Sequence, residues 1–369
     1  MDQLNDANPI ERRLVNKATQ ARIPITANFE LTPLCNLKCD MCYIRMEKAS
    51  MQQLGGLVPL NEWLRIAEEL KSMGTLFILL TGGEPLLYPD FKELYTQLRK
   101  MGFIITMNTN GTLINEEIIQ LFRQYKPRRI NVTLYGANNE TYTDLCHSPN
   151  GFTQTMQGLE LLKRNQIDTK INISLVKQNQ KDYTDILEIG KSLDIPVESS
   201  CYMYPCTRST CNHCRDIQRI RVSPREAAEA VFTWNKYRHD AHYLQKLKEL
   251  DYLLEKGDPL PDGGGLNCRA AKSSCWINWK GEMTPCCMME TPFVKLSSSP
   301  TNEAWKTIVR EGETLPPHTE CNDCKLRIIC DTCYAAANHE KEANGNLDYL
   351  CQMAEAKRHI IKKELNETY

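Results

Sequence analysis

Strand-like and helix-like segments alternate regularly over residues 25–240 of the 369-residue chain. Short apolar runs rich in β-favouring residues alternate with stretches that carry the helical spacing of apolar side chains. The six runs are Ile25–Leu31, Leu76–Leu80, Phe103–Asn108, Ile130–Leu134, Ile171–Val176 and Pro196–Met203. The stretches between them include Glu62–Met73, Phe91–Met101, Glu116–Tyr125, Phe152–Asn165 and Tyr183–Leu193. This order predicts an α/β fold with a parallel sheet, and such sheets gather their functional groups at the carboxyl ends of the strands.

Three cysteines follow the first predicted strand in a C-x3-C-x2-C pattern, namely Cys35, Cys39 and Cys42. Three thiolates on one short loop can hold three irons of a [4Fe–4S] cube and leave the fourth iron open to a ligand. A structural zinc site would recruit a fourth ligand, and disulfides would use an even number of cysteines. The triplet therefore favours a reactive iron–sulfur cluster over a structural metal site.

A second motif, Gly82-Gly83-Glu84-Pro85, ends the second predicted strand. Glycines let the backbone approach a ligand closely, and a carboxylate complements an ammonium group. The two motifs together resemble those of the radical S-adenosylmethionine (SAM) enzymes, in which a cysteine triplet follows the first barrel strand and a Gly-Gly-Glu-Pro segment contacts the amino group of SAM. The resemblance implies an α/β fold of the open (β/α)6 partial TIM barrel type, with SAM and a [4Fe–4S] cluster as cofactors.

The same resemblance implies further cofactor contacts at the strand ends. Thr133 ends the fourth predicted strand, where relatives often place a hydroxyl group. Met41 stands where many relatives carry an aromatic residue beside adenine, and Tyr43 follows the third cysteine as a further candidate contact. Asn108 and Asn110 end the third strand, where they serve either as ligands or as ordinary turn-forming residues.

Residues 268–351 hold nine cysteines and little regular periodicity, so this segment is expected to fold around metal. Its cysteine spacing resembles the SPASM extension of radical SAM enzymes, which carries two auxiliary [4Fe–4S] clusters. The resemblance implies one cluster on Cys268, Cys275, Cys286 and Cys333 and a second on Cys321, Cys324, Cys330 and Cys351. With the triplet, this makes three [4Fe–4S] clusters per chain. Two zinc sites of four cysteines each are the alternative.

Six cysteines lie outside these sets: Cys146, Cys201, Cys206, Cys211, Cys214 and Cys287. The four from Cys201 to Cys214, with His213 among them, could bind another metal, form a redox pair or be spare thiols. Cys206 and Cys287 are candidate catalytic thiols, acting as hydrogen-atom donors at the catalytic rim. Cys287 also stands where anaerobic sulfatase maturases carry an aspartate, which argues against that reaction.

The composition limits the partners and the location of the protein. The net charge is −1, which favours neither a nucleic acid nor a membrane surface. The N-terminal residues lack the layout of a signal peptide, and we expect a cytoplasmic protein. In a reducing compartment, the 17 cysteines indicate metal clusters rather than disulfides. We expect an N-terminal segment (1–24), a barrel (25–240), a bridge (241–267) and a SPASM domain (268–369) that ends in a helix.

The leading functional hypothesis is a maturase that abstracts hydrogen from a ribosomally made peptide and forms a C–C or thioether crosslink or an epimer. Its expected partners are the peptide, with or without a leader, and an electron donor such as flavodoxin or ferredoxin. Met1–Arg22 is too short for a leader-binding domain, so a leader would be recognised by another protein or by the catalytic domain. The alternatives are a radical enzyme of small-molecule or cofactor biosynthesis, and a metal-binding scaffold or sensor without turnover. The Gly82-Gly83-Glu84 motif argues against a scaffold.

Overall fold

The structure is a computed structural model that describes residues 9–205, 217–239, 242–257, 265–316, 318–330 and 332–366. The strands are β1 (Thr26–Glu30), β2 (Phe77–Thr81), β3 (Ile104–Thr109), β4 (Arg129–Thr133), β5 (Thr169–Ser174), β6 (Val197–Ser200), β7 (Ser274–Ile277), β8 (Glu282–Thr284) and β9 (Val294–Lys295). The helices are α1 (Pro9–Gln20), α2 (Lys48–Gln53), α3 (Leu60–Ser72), α4 (Phe91–Lys100), α5 (Glu116–Gln124), α6 (Asn139–Cys146), α7 (Gly151–Arg164), α8 (Tyr183–Ser192), α9 (Ile217–Ile220), α10 (Pro224–His239), α11 (Tyr243–Lys256), α12 (Thr301–Glu313), α13 (Tyr334–Asn344) and α14 (Asp348–Asn366).

The strands form one sheet in the order β6-β5-β4-β3-β2-β1-β7-β8-β9. Strands β1 to β6 are parallel and neighbour each other in chain order, while β7 adds to the free edge of β1. The β7–β8–β9 ladder is antiparallel. The sheet is not closed into a barrel. This confirms the prediction of an open α/β partial barrel and shows that the cysteine-rich region extends the same sheet.

One face of the sheet is apolar and lies under the helices. Ile78, Leu80, Ile105 and Met107 alternate along β2 and β3 and are at most 1% exposed. Phe29 of β1 stacks on Trp63 of α3, with ring centroids 4.6 Å apart. Because right-handed crossovers place all helices of successive βαβ units on the same side, this face forms the main core.

The opposite, inner face carries mostly polar side chains. Asn108 lies beside Asn131 of β4, and Thr133 of β4 lies beside Asn172 of β5. Side chains alternate between the two faces of a strand, so these residues share the side that lacks the crossover helices. A closed barrel fills its interior with branched apolar residues, whereas this open sheet has a surface of amides and hydroxyls.

The helices begin and end where their local sequence dictates. Asn115 caps α5 by accepting a hydrogen bond from the Ile118 N–H at 3.0 Å. Asn138 caps α6 in the same way through the Thr141 N–H at 2.8 Å. Helix α6 ends at His147, whose φ of 52° is left-handed. These ends fix the loops that carry the candidate site.

The cysteine-rich region is more regular than expected. It contains β7 to β9 and also α12, which buries Ala304, Trp305 and Ile308 on one face. The expectation of little periodicity was therefore wrong here, since apolar residues recur at helical spacing within 301–313. The final helix α14 begins at Asp348 and packs along α10 and α11.

A buried ion pair joins this region to the barrel. Arg221 and Glu340 are 2.6 Å apart, and their side chains are only 2% and 1% exposed. The Tyr202 hydroxyl donates to the same carboxylate at 2.8 Å. Within the described ranges, none of the helices combines the length and the apolar character that a bilayer crossing requires.

Candidate active site

The cysteine triplet lies on the loop that follows β1, here called the cysteine loop (residues 35–42). Cys39 is buried, whereas Cys35 and Cys42 are half-buried. The Leu37 N–H donates to the Cys35 sulfur at 3.4 Å, and the Arg45 N–H donates to the Cys42 sulfur at 3.3 Å. Backbone donors stabilise thiolates, so the loop is arranged to hold sulfur ligands of a metal cluster.

Burial controls the protonation of these thiols. Desolvation raises the pKa of Cys35 to about 12, and Glu84 adds to that shift. A hydrogen bond with Cys146, together with burial, holds the pKa of Cys39 well above its ordinary value. In the absence of a cation, these thiols therefore keep their protons at neutral pH. A cationic cluster that replaces the protons fits this donor set, since metal ligation couples to deprotonation.

The glycine motif packs directly on the beginning of the cysteine loop. The Gly83 N–H donates to the Thr32 carbonyl at 2.7 Å, and the Glu84 N–H donates to the Leu34 carbonyl at 2.9 Å. A Cβ on Gly82 would lie 2.5 Å from the Thr32 oxygen, and one on Gly83 would lie 2.4 Å from the Leu34 oxygen. Only glycine fits at either position. The two predicted motifs therefore form one rigid unit at the ends of β1 and β2.

Glu84 is fully buried and links β2 to the end of β3. The Thr109 hydroxyl lies 2.9 Å from both carboxylate oxygens, and the Asn110 N–H donates at 2.9 Å. The Leu86 N–H donates to the same carboxylate at 3.1 Å. Burial raises the pKa of Glu84 to about 7 despite these donors. Its predicted contact with the cofactor amino group remains a prediction, but the carboxylate also has this structural role.

The asparagines that end β3 have different surroundings. The Asn110 side-chain amide donates to the Asn36 oxygen at 2.9 Å and lies 3.6 Å from the Cys35 sulfur. Asn108 instead lies on the inner face, where its oxygen accepts a hydrogen bond from the Asn131 amide at 2.8 Å. Asn110 therefore contacts the cysteine loop, and Asn108 belongs to the inner surface of the sheet.

The other two candidate cofactor contacts are half-buried. Thr133 ends β4 on the inner face of the sheet. Tyr43 lies beside Tyr204, with ring centroids 6.2 Å apart, and Tyr204 stacks on His339 of α13 at 5.3 Å. An aromatic row therefore connects the cysteine loop with the cysteine-rich region. The cofactor roles of Thr133 and Tyr43 remain predictions.

Two residues near these groups were missed by sequence reasoning. Thr109 orients Glu84, but the sequence around either residue contains no local pattern that would predict this contact between two strands. Asn131 is 4% exposed, and its side-chain oxygen has no hydrogen-bond partner among the described residues. A buried acceptor without a partner can receive a donor from a ligand. Asn131 could have been recognised from the polar–apolar alternation of Asn131-Val132-Thr133.

The predicted second auxiliary set converges on one cavity. Cys321, Cys324, Cys330 and Cys351 line a cavity of about 230 Å³ between α13, α14 and the preceding turns. Burial raises the pKa of Cys321, and the other three thiols of the set add to that shift. Cys333 also lines this cavity. All four predicted thiols therefore line one cavity, although among the described residues no group of three or more cysteine, histidine or acidic side chains is placed so that it could hold a metal ion.

The predicted first auxiliary set is divided. Burial holds the pKa of Cys286 well above its ordinary value, and the neighbouring Cys287, Cys268 and Cys333 thiols add to that shift. Cys275 is fully buried in β7 beside Ala27 of β1, on the face that packs under the helices. Among the described residues, no other cysteine contributes to the raised pKa of Cys275. Of the four predicted thiols, Cys268 and Cys333 therefore lie near enough to Cys286 to affect its pKa, whereas Cys275 does not.

The two candidate catalytic thiols are only partly described. Cys287 is half-buried and adjoins the first auxiliary set. Cys206 lies outside the described residues, as do Cys211, His213 and Cys214. Cys201 is buried at the end of β6, where its sulfur lies 3.3 Å from the Ser199 hydroxyl and 3.5 Å from that of Tyr183.

Comparison with known proteins agrees with this geometry. Residues 29–189 match the profile of the family described as Radical SAM superfamily. These residues include the cysteine loop, the glycine motif and strands β2 to β5. The chain therefore contains a radical SAM domain within residues 29–189, is an enzyme, and resembles SPASM-type peptide maturases. Members of this family bind SAM and a [4Fe–4S] cluster.

Three similar proteins span most of the chain. The AdoMet-dependent heme synthase of Methanosarcina barkeri is 26% identical over 333 residues, which is 84% of this chain and 90% of that protein. The antilisterial bacteriocin subtilosin biosynthesis protein AlbA of Bacillus subtilis is 27% identical over 324 residues, 85% of this chain and 67% of AlbA. The crystal structure of Streptococcus suis SuiB bound to the precursor peptide SuiA has a TM-score of 0.67 and 18% identity, covering 94% of this chain and 82% of SuiB.

Proposed function

We propose that this radical SAM enzyme modifies a ribosomally synthesised peptide, by abstracting a hydrogen atom and forming a C–C or thioether crosslink or an epimer. The similarity to AlbA carries the proposal because the aligned region covers 85% of the chain. The alignment therefore extends beyond the barrel into the cysteine-rich region. The fold shared with SuiB, which was crystallised with its precursor peptide, is consistent with it.

The inner face of the sheet supports a peptide as substrate. Its described residues near the cysteine loop are mainly amides and hydroxyls, such as Asn108, Asn131, Thr133 and Asn172. Amide side chains can donate and accept, as peptide groups do, and they suit a substrate whose backbone must be oriented. The unpaired Asn131 oxygen is ready to accept a hydrogen bond from a peptide N–H or from the cofactor.

The cysteine loop would hold the catalytic cluster through Cys35, Cys39 and Cys42. The bound cluster and SAM supply the radical chemistry that removes hydrogen from the substrate, and the protein supplies binding and orientation. Gly82 and Gly83 keep the motif backbone close to the loop, and Glu84 holds the ends of β2 and β3 together. Asn110 and Thr133 would contact SAM from neighbouring strand ends.

We also propose two auxiliary [4Fe–4S] clusters. Cys321, Cys324, Cys330 and Cys351 would hold one, which is supported by their common cavity. Cys268, Cys286 and Cys333 would hold the other, supported by the effect of Cys268 and Cys333 on the pKa of Cys286. The irons of a cube bind separate thiolates, and three thiolates suffice to hold one when the fourth iron has another ligand. Fully assembled protein would then contain about twelve irons per chain.

A second candidate is action on a small molecule. The similarity to the heme synthase of Methanosarcina barkeri favours it, because the aligned region covers 90% of that protein. An iron porphyrin precursor is anionic and rigid, and it would need cationic side chains around its carboxylates. Among the described residues, the inner face beside the cysteine loop carries the amides of Asn108 and Asn131, while its cations Arg129 and Lys170 lie at the amino ends of β4 and β5, which is why the peptide is preferred.

The test is anaerobic reconstitution of the full chain with iron and sulfide, followed by reduction in the presence of SAM and one of two substrates. The substrates are a short peptide encoded beside the gene and an iron porphyrin precursor of heme. We expect the peptide to stimulate formation of 5′-deoxyadenosine and either to lose a pair of hydrogen atoms or to take up deuterium from D2O. The Cys42→Ala variant is the matched control and should form no 5′-deoxyadenosine. Conversion of the porphyrin with an unchanged peptide would overturn the proposal.

A further inference from the structure

Two asparagines on neighbouring strands form an amide pair on the inner face of the sheet. Asn108 of β3 and Asn131 of β4 lie opposite each other, and the Asn131 Nδ2 donates to the Asn108 Oδ1 at 2.8 Å. This bond uses one polar atom of each side chain. The Asn131 oxygen and the Asn108 amide nitrogen have no hydrogen-bond partner within the part of the chain that the structure describes.

The two unused atoms differ in burial. Asn131 is 4% exposed and its oxygen is buried, whereas Asn108 is half-buried and its nitrogen can pair with water. Lys170 of β5 lies on the other side of Asn131 in register, and its ammonium does not bond to this oxygen. Because a buried acceptor without a donor destabilises a folded protein, the Asn131 oxygen requires a partner such as a water molecule or a ligand.

The amide pair offers the hydrogen bonds of one extended peptide residue. The unused Asn131 oxygen accepts, and the unused Asn108 nitrogen donates. If both amides turn over, the donor and the acceptor exchange strands, but the pair still offers one of each. In a hydrogen-bonded pair of an antiparallel ladder, two residues exchange both of their N–H···O=C bonds. The amide pair is therefore complementary to the N–H and C=O of one extended residue.

The burial of Asn131 limits the kind of donor that can reach its oxygen. Asn108 flanks it across the sheet and Thr133 flanks it along β4, and both of these side chains are half-buried. A donor must enter between them, and rotamer changes of this kind are common on binding. A peptide N–H is narrow and uncharged. A cation would bring its charge to a buried position with a single neutral acceptor, which is unfavourable.

We propose that Asn108 and Asn131 bind the N–H and C=O of one extended residue of the peptide substrate. Asn110, two residues beyond Asn108, contacts the cysteine loop, so the bound residue would lie close to the proposed catalytic cluster. The pair thereby determines which residue of the peptide is presented for hydrogen abstraction. The inference rests on the proposed function, since the ligand is the peptide named there, and it gives the pair no contact with SAM.

The test measures peptide binding to the reconstituted full chain in the presence of SAM by fluorescence anisotropy. The probes are labelled copies of the peptide encoded beside the gene, one unmodified and the others each N-methylated at a single backbone nitrogen. In the wild type, methylation of one particular residue should weaken binding roughly three- to tenfold, the effect of one neutral hydrogen bond. Asn131→Leu keeps the branched shape but cannot accept. It should bind the unmodified peptide about as weakly, and methylation of that residue should then have no further effect.

Thr106→Val is the matched control. It removes a polar group from the same face of β3, two residues before Asn108. This variant should bind every probe as the wild type does. The affinity of each variant for SAM, measured without peptide, should equal that of the wild type, because the pair contacts the substrate and not the cofactor.

Several outcomes would overturn the proposal. One is an Asn131→Leu protein that binds the unmodified peptide as tightly as the wild type. Another is an effect of N-methylation at the same residue that persists in full in Asn131→Leu. Weaker SAM binding by Asn131→Leu would assign the oxygen to the cofactor. If Asn131→Leu does not fold, Asn108→Ala, at the half-buried position, carries the test: it should weaken binding of the unmodified peptide by a similar factor, and unchanged binding would overturn the proposal. A wild-type protein that neither binds nor modifies the peptide would instead contradict the proposed function.

Discussion

Cys275 and Cys286 offer a sharp test of how the first auxiliary cluster is held. The resemblance to the SPASM extension implies that both are ligands, whereas the structure buries Cys275 within β7 and places Cys286 in the bend that follows β8. Cys286 adjoins Cys268 and Cys333, and Cys275 is buried beside Ala27 under the helices. We predict that Cys275→Ala retains every cluster and that Cys286→Ala loses one.

The two variants differ in the size and kind of their effect. Cys286→Ala leaves two of the grouped thiols, too few to hold a cube, so the iron content should fall from about twelve to about eight per chain. Cys275→Ala removes one sulfur atom from a site with 0% exposure. Such a deletion costs about 1–2 kcal/mol through lost burial and a small cavity, or roughly 2–8 °C in melting temperature. Its iron content should stay at about twelve.

The assay is iron and sulfide analysis of anaerobically reconstituted full chain, with a thermal melt on the same sample. The double variant Cys324→Ala/Cys330→Ala serves as the matched control because it leaves only two thiols of the other auxiliary set, and it should also hold about eight irons. A folded Cys275→Ala protein with only about eight irons would refute the reasoning and restore Cys275 as a ligand. An unchanged iron content in Cys286→Ala would refute the grouping itself.

Three further predictions concern the catalytic rim and its support. Gly83→Ala places a Cβ 2.4 Å from a carbonyl oxygen just before the cysteine loop. We therefore expect the folded state to be destabilised by roughly 1–3 kcal/mol. Because the loop would shift, release of 5′-deoxyadenosine should be about 100-fold slower. Gly102→Ala, whose Cβ meets nothing within 4 Å but whose φ of 96° strains an alanine, should lose stability without slowing 5′-deoxyadenosine release, and an equally slow release from both variants would contradict the steric argument. The folded protein holds the Glu84 proton up to about pH 7, whereas an unfolded chain releases it near pH 4.5. Between these pH values the folded state binds more protons than the unfolded state. The free energy of unfolding should therefore fall as the pH rises through this range. In cluster-free protein, the melting temperature should depend less on pH over this range for Glu84→Gln than for the wild type. An identical pH dependence of the two melting temperatures would contradict this. Glu340→Ala leaves Arg221 buried without its partner and should cost roughly 3–5 kcal/mol in chemical denaturation, which a loss below about 1 kcal/mol would contradict.

The parallel strands and the two motifs could be predicted because their signals are local. The apolar runs place β1 to β6 within two residues of their observed starts, and the cysteine triplet and Gly82-Gly83 stand directly after strands. Parallel strand ends share one edge of a sheet, so their proximity followed from the order alone. The amphipathic stretches likewise predicted α3, α4, α5, α7 and α8.

Contacts between distant segments could not be predicted in this way. Strand β7 pairs with β1 although about 250 residues separate them, and no pattern in either strand specifies its partner. The hydrogen bonds of Glu84 with Thr109 and of Lys38 with Cys146 depend on how separate loops meet. Spacing also could not tell which face of β7 carries Cys275, since that depends on the register with β1.

The polar inner face explains why this sheet stays open. In a closed barrel, Asn131 and Asn172 would be enclosed, and each unpaired amide atom would cost about 1–3 kcal/mol. The open sheet leaves Asn172 half-buried and builds its core on the opposite face, where Phe29 packs against Trp63. The β7–β9 ladder then covers the edge of β1 that closure would have used, and it carries Cys286 toward the same side of the molecule as Cys268 and Cys333. The architecture therefore has no apolar interior core and instead has a polar inner face beside the cysteine loop.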